Sequence, residues 1–341
     1  MVRWLSLAAL VLATPASGLD CQTAFAGTTA SPEYISLVEA YRGSRPVRLG
    51  AVRSTARLGH EAFESFVEQL DPARMGPRSH PCIEAAALLH TDAAIHHVEN
   101  RAWPKAFGYF ELGQKLSRKA GRRFQRDWAL AVALYYQGRI FAGDQEIGFR
   151  EATVLFDDAV DRYPADTEIL VAAGAVWEWS GSLPLGESGD LKRAERLYAR
   201  ALEQEPRLAE AKLRYGKVLE KRGHFEEAVE PLEELIALEA DHHIIYRARM
   251  ALGNLAERRG LPEAAIRHYR AAIELEPDWQ IGYLALSHAL HTTSEREASR
   301  AALEEALFLS DSTQSSWWEY ELGMSERAEP LLSSLREALA H

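Results

Sequence analysis

Cysteine, positive charge and long apolar runs are all scarce in this chain of 341 residues. Two cysteines are too few for a disulfide-scaffolded miniprotein or for a four-cysteine zinc site. Lysine and arginine together number 39 against 50 aspartates and glutamates, which gives a formal net charge of −11. A chain short of positive charge is a poor candidate for a general nucleic-acid binder. After the first residues no uncharged apolar run is long enough to predict a membrane-spanning helix.

Motifs of enzyme active sites are also missing. The chain has no G-x-S-x-G nucleophile elbow, no G-x-x-x-x-G-K-[ST] phosphate loop, no G-x-G-x-x-G fingerprint and no H-E-x-x-H zinc motif. His288 and His291 are three positions apart on one predicted helix, a spacing that can hold a metal only with a third ligand. No third ligand stands out. We therefore predict no catalytic residue, no metal and no cofactor.

The composition that is present is that of a globular protein with unevenly distributed charge. Apolar residues make up 47% and charged residues 26% of the chain, proportions that exclude wholesale disorder. Residues 1–150 hold 18 lysines and arginines against 14 acidic residues, whereas residues 151–341 hold 21 against 36. The second region is therefore strongly acidic, and the two regions are expected to have different surfaces.

The first 18 residues have the layout of a secretory signal peptide. A short positive start, Met1–Arg3, precedes an apolar run at Trp4–Ala13, and small residues at 16–18 suit a cleavage site. The run is shorter than the about 20 residues that a permanent membrane anchor needs. We expect a mature chain that begins at Leu19 and is periplasmic or secreted. The alternative interpretation is a buried N-terminal helix.

The two cysteines, Cys21 and Cys82, both remain after removal of residues 1–18. Disulfides form in the oxidising compartments that exported proteins enter, so a Cys21–Cys82 disulfide is one interpretation. Two unpaired thiols are the other. The sequence leaves both open, because the distance between the two residues depends on the fold.

Two segments, Ala209–Ala240 and Tyr246–Trp279, share one pattern of small and large residues. Each begins with an amphipathic helix that has glycine at its eighth place, and each turns at a second glycine seven residues later. A second helix follows, with alanine twelve residues after the first glycine. Small residues at these places allow two helices of one hairpin to approach closely. The residues are Gly216, Gly223 and Ala228 in the first segment, and Gly253, Gly260 and Ala265 in the second.

This pattern resembles the tetratricopeptide repeat, a helix–turn–helix unit of about 34 residues. The resemblance implies an all-α fold, a right-handed superhelical solenoid of such repeats with helical caps. We expect about six units over residues 87–311, starting at Ala87, Arg126, Thr167, Ala209, Tyr246 and Gln280. Residues 19–86 are expected to form an N-terminal tail and helical cap, with helices at Pro32–Arg42 and about Val47–Leu70. Residues 312–341 are expected to form C-terminal capping helices.

In the resembling family, the first helix of each unit lines a concave groove with its second, fifth, sixth, ninth, twelfth and thirteenth places. Carried over to the last three units, these places hold five lysines and arginines against three glutamates. The predicted groove is therefore mildly basic within an acidic region. The predicted partner-binding residues are Leu213, Arg214, Lys217, Arg247, Met250, Asn254, Arg258, Leu284, His288 and His291.

The resemblance implies an exported, non-catalytic scaffold. It would bind a protein or peptide segment with some acidic character in its groove, in the assembly of a cell-envelope complex. The alternative is an enzyme, or the regulatory subunit of an envelope enzyme, with a site in the N-terminal region, residues 19–125.

Overall fold

The computed structural model describes residues 20–59, 61–71, 80–141, 149–182, 188–238, 240–309, 333, 336 and 337. Within these ranges the chain forms α-helices and no strand, which confirms the predicted all-α fold. The helices are α1 (Cys21–Ala24), α2 (Pro32–Arg42), α3 (Arg45–Thr55), α4 (Glu61–Gln69), α5 (His80–Glu99), α6 (Trp103–Ala120), α7 (Arg122–Phe141), α8 (Phe149–Arg162), α9 (Thr167–Ser182), α10 (Ser188–Gln204), α11 (Ala209–Lys221), α12 (Val229–Ile236), α13 (His242–Arg258), α14 (Pro262–Leu275), α15 (Gln280–Thr292) and α16 (Arg296–Phe308).

None of the helices in these ranges is both long enough and apolar enough to span a bilayer. The predicted signal peptide, residues 1–18, lies outside the described residues. So does most of the predicted C-terminal cap, residues 312–341, of which Ser333, Arg336 and Glu337 are described.

The chain divides into two compact units. Unit 1 contains residues 1–128 and 330–341, and unit 2 contains residues 129–329. Unit 1 therefore includes the first predicted repeat together with residues 19–86, which the sequence predicts as a separate region. It also includes the end of the chain.

Three helices form the centre of unit 1: α2 and α3 pack on each other, and both pack on α5. Local signals start α2, because Ser31 Oγ accepts a hydrogen bond from the Tyr34 N–H at 3.1 Å and Pro32 occupies the first turn. A disulfide joins Cys21 to Cys82 of α5, with the Cα atoms 5.5 Å apart and both residues buried. The N-terminal tail is thus bonded covalently to α5.

The side chain of His90, on α5, is fully buried among aromatic rings. Its Nε2 lies 3.0 Å from the Tyr34 hydroxyl oxygen, and its ring lies 5.0 Å from that of Phe63 and 5.6 Å from that of Tyr109. Burial lowers the pKa of His90 to about 3, because an imidazolium would lose its hydration there. His90 is therefore neutral at physiological pH.

The prediction of one helix over about Val47–Leu70 is wrong. The helix α3 ends at Thr55, and α4 begins at Glu61. Gly59 between them disfavours a helix. In addition, the Tyr109 hydroxyl of α6 donates to the Thr55 carbonyl oxygen at 2.6 Å, at the last residue of α3. This second cause is a contact across 54 positions, which a local pattern does not contain.

Unit 2 is a solenoid of helical hairpins, as the sequence predicts. The pairs α9–α10, α11–α12, α13–α14 and α15–α16 each pack together, and the second helix of one pair packs on the first helix of the next. The first helices also contact one another, α9 with α11 and α11 with α13. Each hairpin therefore packs mainly on its neighbouring hairpins.

Glycine sets the spacing of these hairpins. A Cβ atom at Gly216 would lie 2.6 Å from Cγ of Leu232, and a Cβ atom at Gly253 would overlap the ring of Tyr269. Larger residues at either place would force the two helices of the hairpin apart. The turns after the first helices also use glycine, since Gly223 and Gly260 have φ angles of 81° and 71°.

Candidate functional site

The first helices of the hairpins in unit 2 carry the predicted groove residues, and the structure buries several of them. Leu213 is 0% exposed and packs in a cluster with Ala248 and Ala251 of the next first helix. Arg214 and Lys217 are 4% and 6% exposed. Because α11 lies between α9 and α13, these side chains contact neighbouring helices. Their burial leaves little surface for a partner, and their role in partner binding remains a prediction.

Met250, at the fifth place of the repeat that begins at Tyr246, is also buried, at 5% exposure. It belongs to a core cluster with Tyr246, Ile266 and Leu286. This packing leaves little of Met250 for an apolar contact with a partner, and that role remains a prediction. Arg247, on the same helix, is partly buried.

Glu178 of α9 anchors the buried cations of α11. The Lys221 Nζ lies 2.8 Å from Glu178 Oε1, and the Arg214 Nη1 lies 3.6 Å from Glu178 Oε2. The Tyr198 hydroxyl, from α10, donates to the same Oε2 at 2.8 Å. The Glu178 side chain is 5% exposed, so these contacts replace the water that a carboxylate normally binds.

The charge state of Glu178 follows from its cationic neighbours. Burial alone would raise the pKa of Glu178, but the nearby Lys221, Lys217 and Arg214 together lower that pKa to about 2. Glu178 is therefore ionised throughout the physiological range. Its negative charge helps to compensate these cations, of which Arg214 also pairs with Glu210, with Nε 2.6 Å from Oε1.

A second glutamate, Glu220, bonds to two side chains on the groove side of α13. Its Oε1 accepts a hydrogen bond from Asn254 Nδ2 at 2.6 Å and lies 3.1 Å from Arg258 Nε. Glu220 is 8% exposed, whereas the Arg258 side chain is 53% exposed. Two predicted partner-binding residues are thus positioned by a glutamate of the preceding hairpin, while Arg258 keeps about half of its surface in solvent.

A third glutamate, Glu257, links α13 to α15. The Tyr269 hydroxyl donates to Glu257 Oε2 at 2.8 Å, and His288 Nδ1 lies 2.9 Å from Glu257 Oε1. Burial, reinforced by the Glu257 carboxylate, raises the pKa of the Tyr269 hydroxyl, which therefore stays protonated and able to donate. The His288 side chain remains 71% exposed.

Glu178, Glu220 and Glu257 occupy the twelfth place of three successive repeats, and we call them the glutamate ladder. Each bonds to at least one side chain of the following first helix. The ladder compensates most of the positive charge that the sequence assigns to the groove. A mildly basic groove is therefore an incomplete description, since its cations already have partners within the fold.

The groove is most accessible at its C-terminal end. Leu284 is 37% exposed, although it occupies the same place in its repeat as the buried Leu213 and Met250. His291, Asn254 and Arg258 are also exposed. We call the following set the open groove face: Asn254, Arg258, Leu284, His288 and His291.

Metal-ligand spacing does not single out the two histidines of this face. In the part of the chain that the structure describes, the one cluster with such spacing is Cys21, Glu39 and Cys82. The two sulfurs of that cluster are bonded to each other in the disulfide.

The family comparison falls on the same hairpins. The tetratricopeptide repeat family matches residues 187–253 and again residues 246–278. The chain contains tetratricopeptide repeats. Such repeats are protein-interaction modules, and no catalytic family is indicated. No curated protein sequence matches the chain.

Solved structures of similar folds cover about half of the chain or somewhat more. PilF of Pseudomonas aeruginosa is 18% identical, with a TM-score of 0.45, and the match covers 62% of this chain and 90% of PilF. MamA of Desulfovibrio magneticus RS-1, residues 41 to the end, is 21% identical, with a TM-score of 0.41, over 52% of this chain and 98% of MamA. At these TM-scores the likenesses support no conclusion about what this chain binds.

The tetratricopeptide register contains a signal for Glu178, which the predicted groove does not include. The predicted groove covers three repeats, of which the first begins at Ala209. Extending the register to the repeat that begins at Thr167 places Glu178 at the twelfth position, in line with Glu220 and Glu257. Three carboxylates in line beside lysines and arginines of the next repeat predict inter-repeat ion pairs.

Proposed function

We propose that the chain is a non-catalytic scaffold that binds a partner protein on the open groove face. The observation that carries this proposal is the exposure of that face within tetratricopeptide repeats, next to repeats in which the same positions are buried. Leu284 and His291 are exposed in the last described hairpin, whereas Leu213 and Met250 are buried in the two preceding ones. A partner can therefore reach the groove at this end.

The chemistry of the open groove face favours a mixed apolar and acidic partner segment. Leu284 offers an apolar contact, and Arg258 offers hydrogen-bond donors on a side chain that is 53% exposed. His288, 71% exposed, contacts Glu257 through Nδ1 and leaves its other ring nitrogen for a partner. Glu220 and Glu257 hold Arg258 and His288 in place, which reduces the conformational entropy lost on binding. A partner carboxylate beside an apolar side chain complements this arrangement.

A paired substitution tests the open groove face. Leu284→Ser with His291→Asp removes an apolar contact and adds a negative charge, and we expect about a tenfold loss of affinity, equivalent to about 1.4 kcal/mol. The matched control is Arg267→Ala with Arg270→Ala on the exposed side of α14, which should leave affinity unchanged. The measurement is titration of the partner, captured by the tagged full chain, against each variant. Equal loss in both variants would exclude the groove.

We further propose that the protein acts after export, in a cell-envelope assembly. The support is the layout of residues 1–18 and the pairing of Cys21 with Cys82, a bond typical of oxidising compartments. N-terminal sequencing of the protein from an envelope or culture fraction should give a chain that starts at Leu19. Recovery of the chain with Met1 from the cytoplasm would contradict export.

A further inference from the structure

A contact in unit 1 joins the end of the chain to α5. Arg336 approaches the Asp92 carboxylate with two guanidinium nitrogens: Nη2 lies 2.6 Å from Oδ1, and Nε lies 3.1 Å from Oδ2. Such a fork matches the planar guanidinium to both carboxylate oxygens. The Asp92 and Arg336 side chains are 14% and 20% exposed, so the pair is largely shielded from water.

Two further side chains complete the site around Asp92. The Tyr41 hydroxyl of α2 donates to Asp92 Oδ2 at 2.6 Å. Arg48 of α3 donates from Nη2 to the backbone carbonyl oxygen of Arg336 at 3.1 Å. Three helices that pack together, α2, α3 and α5, thus each supply one side chain. The site contacts both the side chain and the main chain of the segment that it holds.

This arrangement selects arginine by its shape as well as its charge. Lysine presents a single ammonium and cannot bond both carboxylate oxygens in a fixed plane. The Tyr41 hydroxyl occupies one of the hydrogen-bonding directions of Asp92 Oδ2, and Arg336 Nε occupies another. The Arg48 bond to a carbonyl oxygen adds recognition of the backbone beside the arginine.

We propose that Asp92, Tyr41 and Arg48 form an arginine-recognition site, and that the chain's own C-terminal segment, residues 330–341, is its occupant. The segment acts as an internal ligand of unit 1. An arginine-bearing segment supplied in solution enters the site only when Arg336 has left it. The site belongs to unit 1 and uses none of the open groove face, so it stands independently of the proposed partner groove.

A labelled synthetic peptide of residues 330–341 tests this proposal on the full chain. The Arg336→Ala variant, whose own segment lacks the arginine, should bind the peptide at least about tenfold more tightly than the wild type, because the internal competitor is weakened. Adding Asp92→Asn to that variant should abolish the gain. A control peptide with alanine or lysine in place of its arginine should bind at least about tenfold more weakly, although it keeps every leucine of the segment.

Hydrogen exchange of the full chain gives a second test that needs no peptide. In Asp92→Asn, amides around Ser333, Arg336 and Glu337 should exchange faster than in the wild type, because the fork that holds them is lost. Unchanged exchange in this variant would overturn the proposal. So would a folded Arg336→Ala variant that fails to bind the peptide, or a peptide that binds wild type and both variants equally.

Discussion

Replacing Glu178 by glutamine is expected to lower the free energy of unfolding of unit 2 by about 3–5 kcal/mol. Glutamine keeps the shape of the side chain and can still accept from Tyr198, so the change removes the charge and little else. Arg214 and Lys217, 4% and 6% exposed, would then keep their charges without the Glu178 carboxylate, and Arg214 would retain its pair with Glu210. Urea denaturation at pH 7, followed by circular dichroism, measures the loss.

The matched control is Glu304→Gln on α16. Glu304 pairs with Arg300 at 2.9 Å, but the two side chains are 65% and 81% exposed. An exposed pair of this kind contributes between zero and about 1 kcal/mol. A Glu178→Gln variant no less stable than Glu304→Gln would show that the glutamate ladder does not hold the repeats together.

A pH titration should show the same interaction. The pKa of Glu178 is about 2 in the folded chain, well below its ordinary value of 4.5, so Glu178 stabilises the fold fully above pH 4.5. That contribution is lost as the pH falls from 4.5 toward 2. Glu178→Gln should therefore lose less stability than the wild type over this interval.

The second large effect is expected at His90 in unit 1. Its pKa is about 3 in the folded chain and about 6.5 when unfolded, so below pH 6.5 the unfolded chain binds a proton that the folded chain does not. Stability therefore falls as the pH is lowered, by about 2 kcal/mol between pH 6.5 and 4.5, and the slope approaches about 1.4 kcal/mol per pH unit well below pH 6.5. Urea denaturation at pH 6.5, 5.5 and 4.5 measures the slope.

His90→Gln isolates this contribution. Glutamine does not titrate, and its amide oxygen can accept from the Tyr34 hydroxyl, which His90 Nε2 contacts at 3.0 Å in the wild type. The variant should lose less stability than the wild type over the same interval, by about 2 kcal/mol. Parallel slopes for the two proteins would mean that His90 is accessible to protons in the folded state.

The hairpins of unit 2 could be predicted because their cause is local. Each hairpin depends on one close contact between residues less than about 20 positions apart. A glycine at the eighth place of the repeat packs against a large residue of the second helix. Gly216 with Leu232, and Gly253 with Tyr269, both make that contact. The glycines at the turns are equally local, since their positive φ angles depend on the adjacent backbone.

The exposure of the groove could not be predicted in the same way. The repeat register states which way a side chain points but not how closely the next repeat covers it. Leu213, Met250 and Leu284 share one place in the register, yet they are 0%, 5% and 37% exposed. The contact of Arg336 with Asp92 could not be predicted from a local pattern either, because the two residues are 244 positions apart in the sequence.

Site-specific photo-crosslinking tests the central proposal, that partners bind the open groove face, most directly. A photoreactive residue is placed at Leu284 or His288, and in parallel at Arg267 or Arg270 on the exposed side of α14, in cells that naturally produce the protein. We predict that the two groove positions crosslink to the same partner protein. The two positions on α14 should not crosslink to that partner. The same adduct from Arg267 and Arg270, with none from Leu284 and His288, would contradict the proposal.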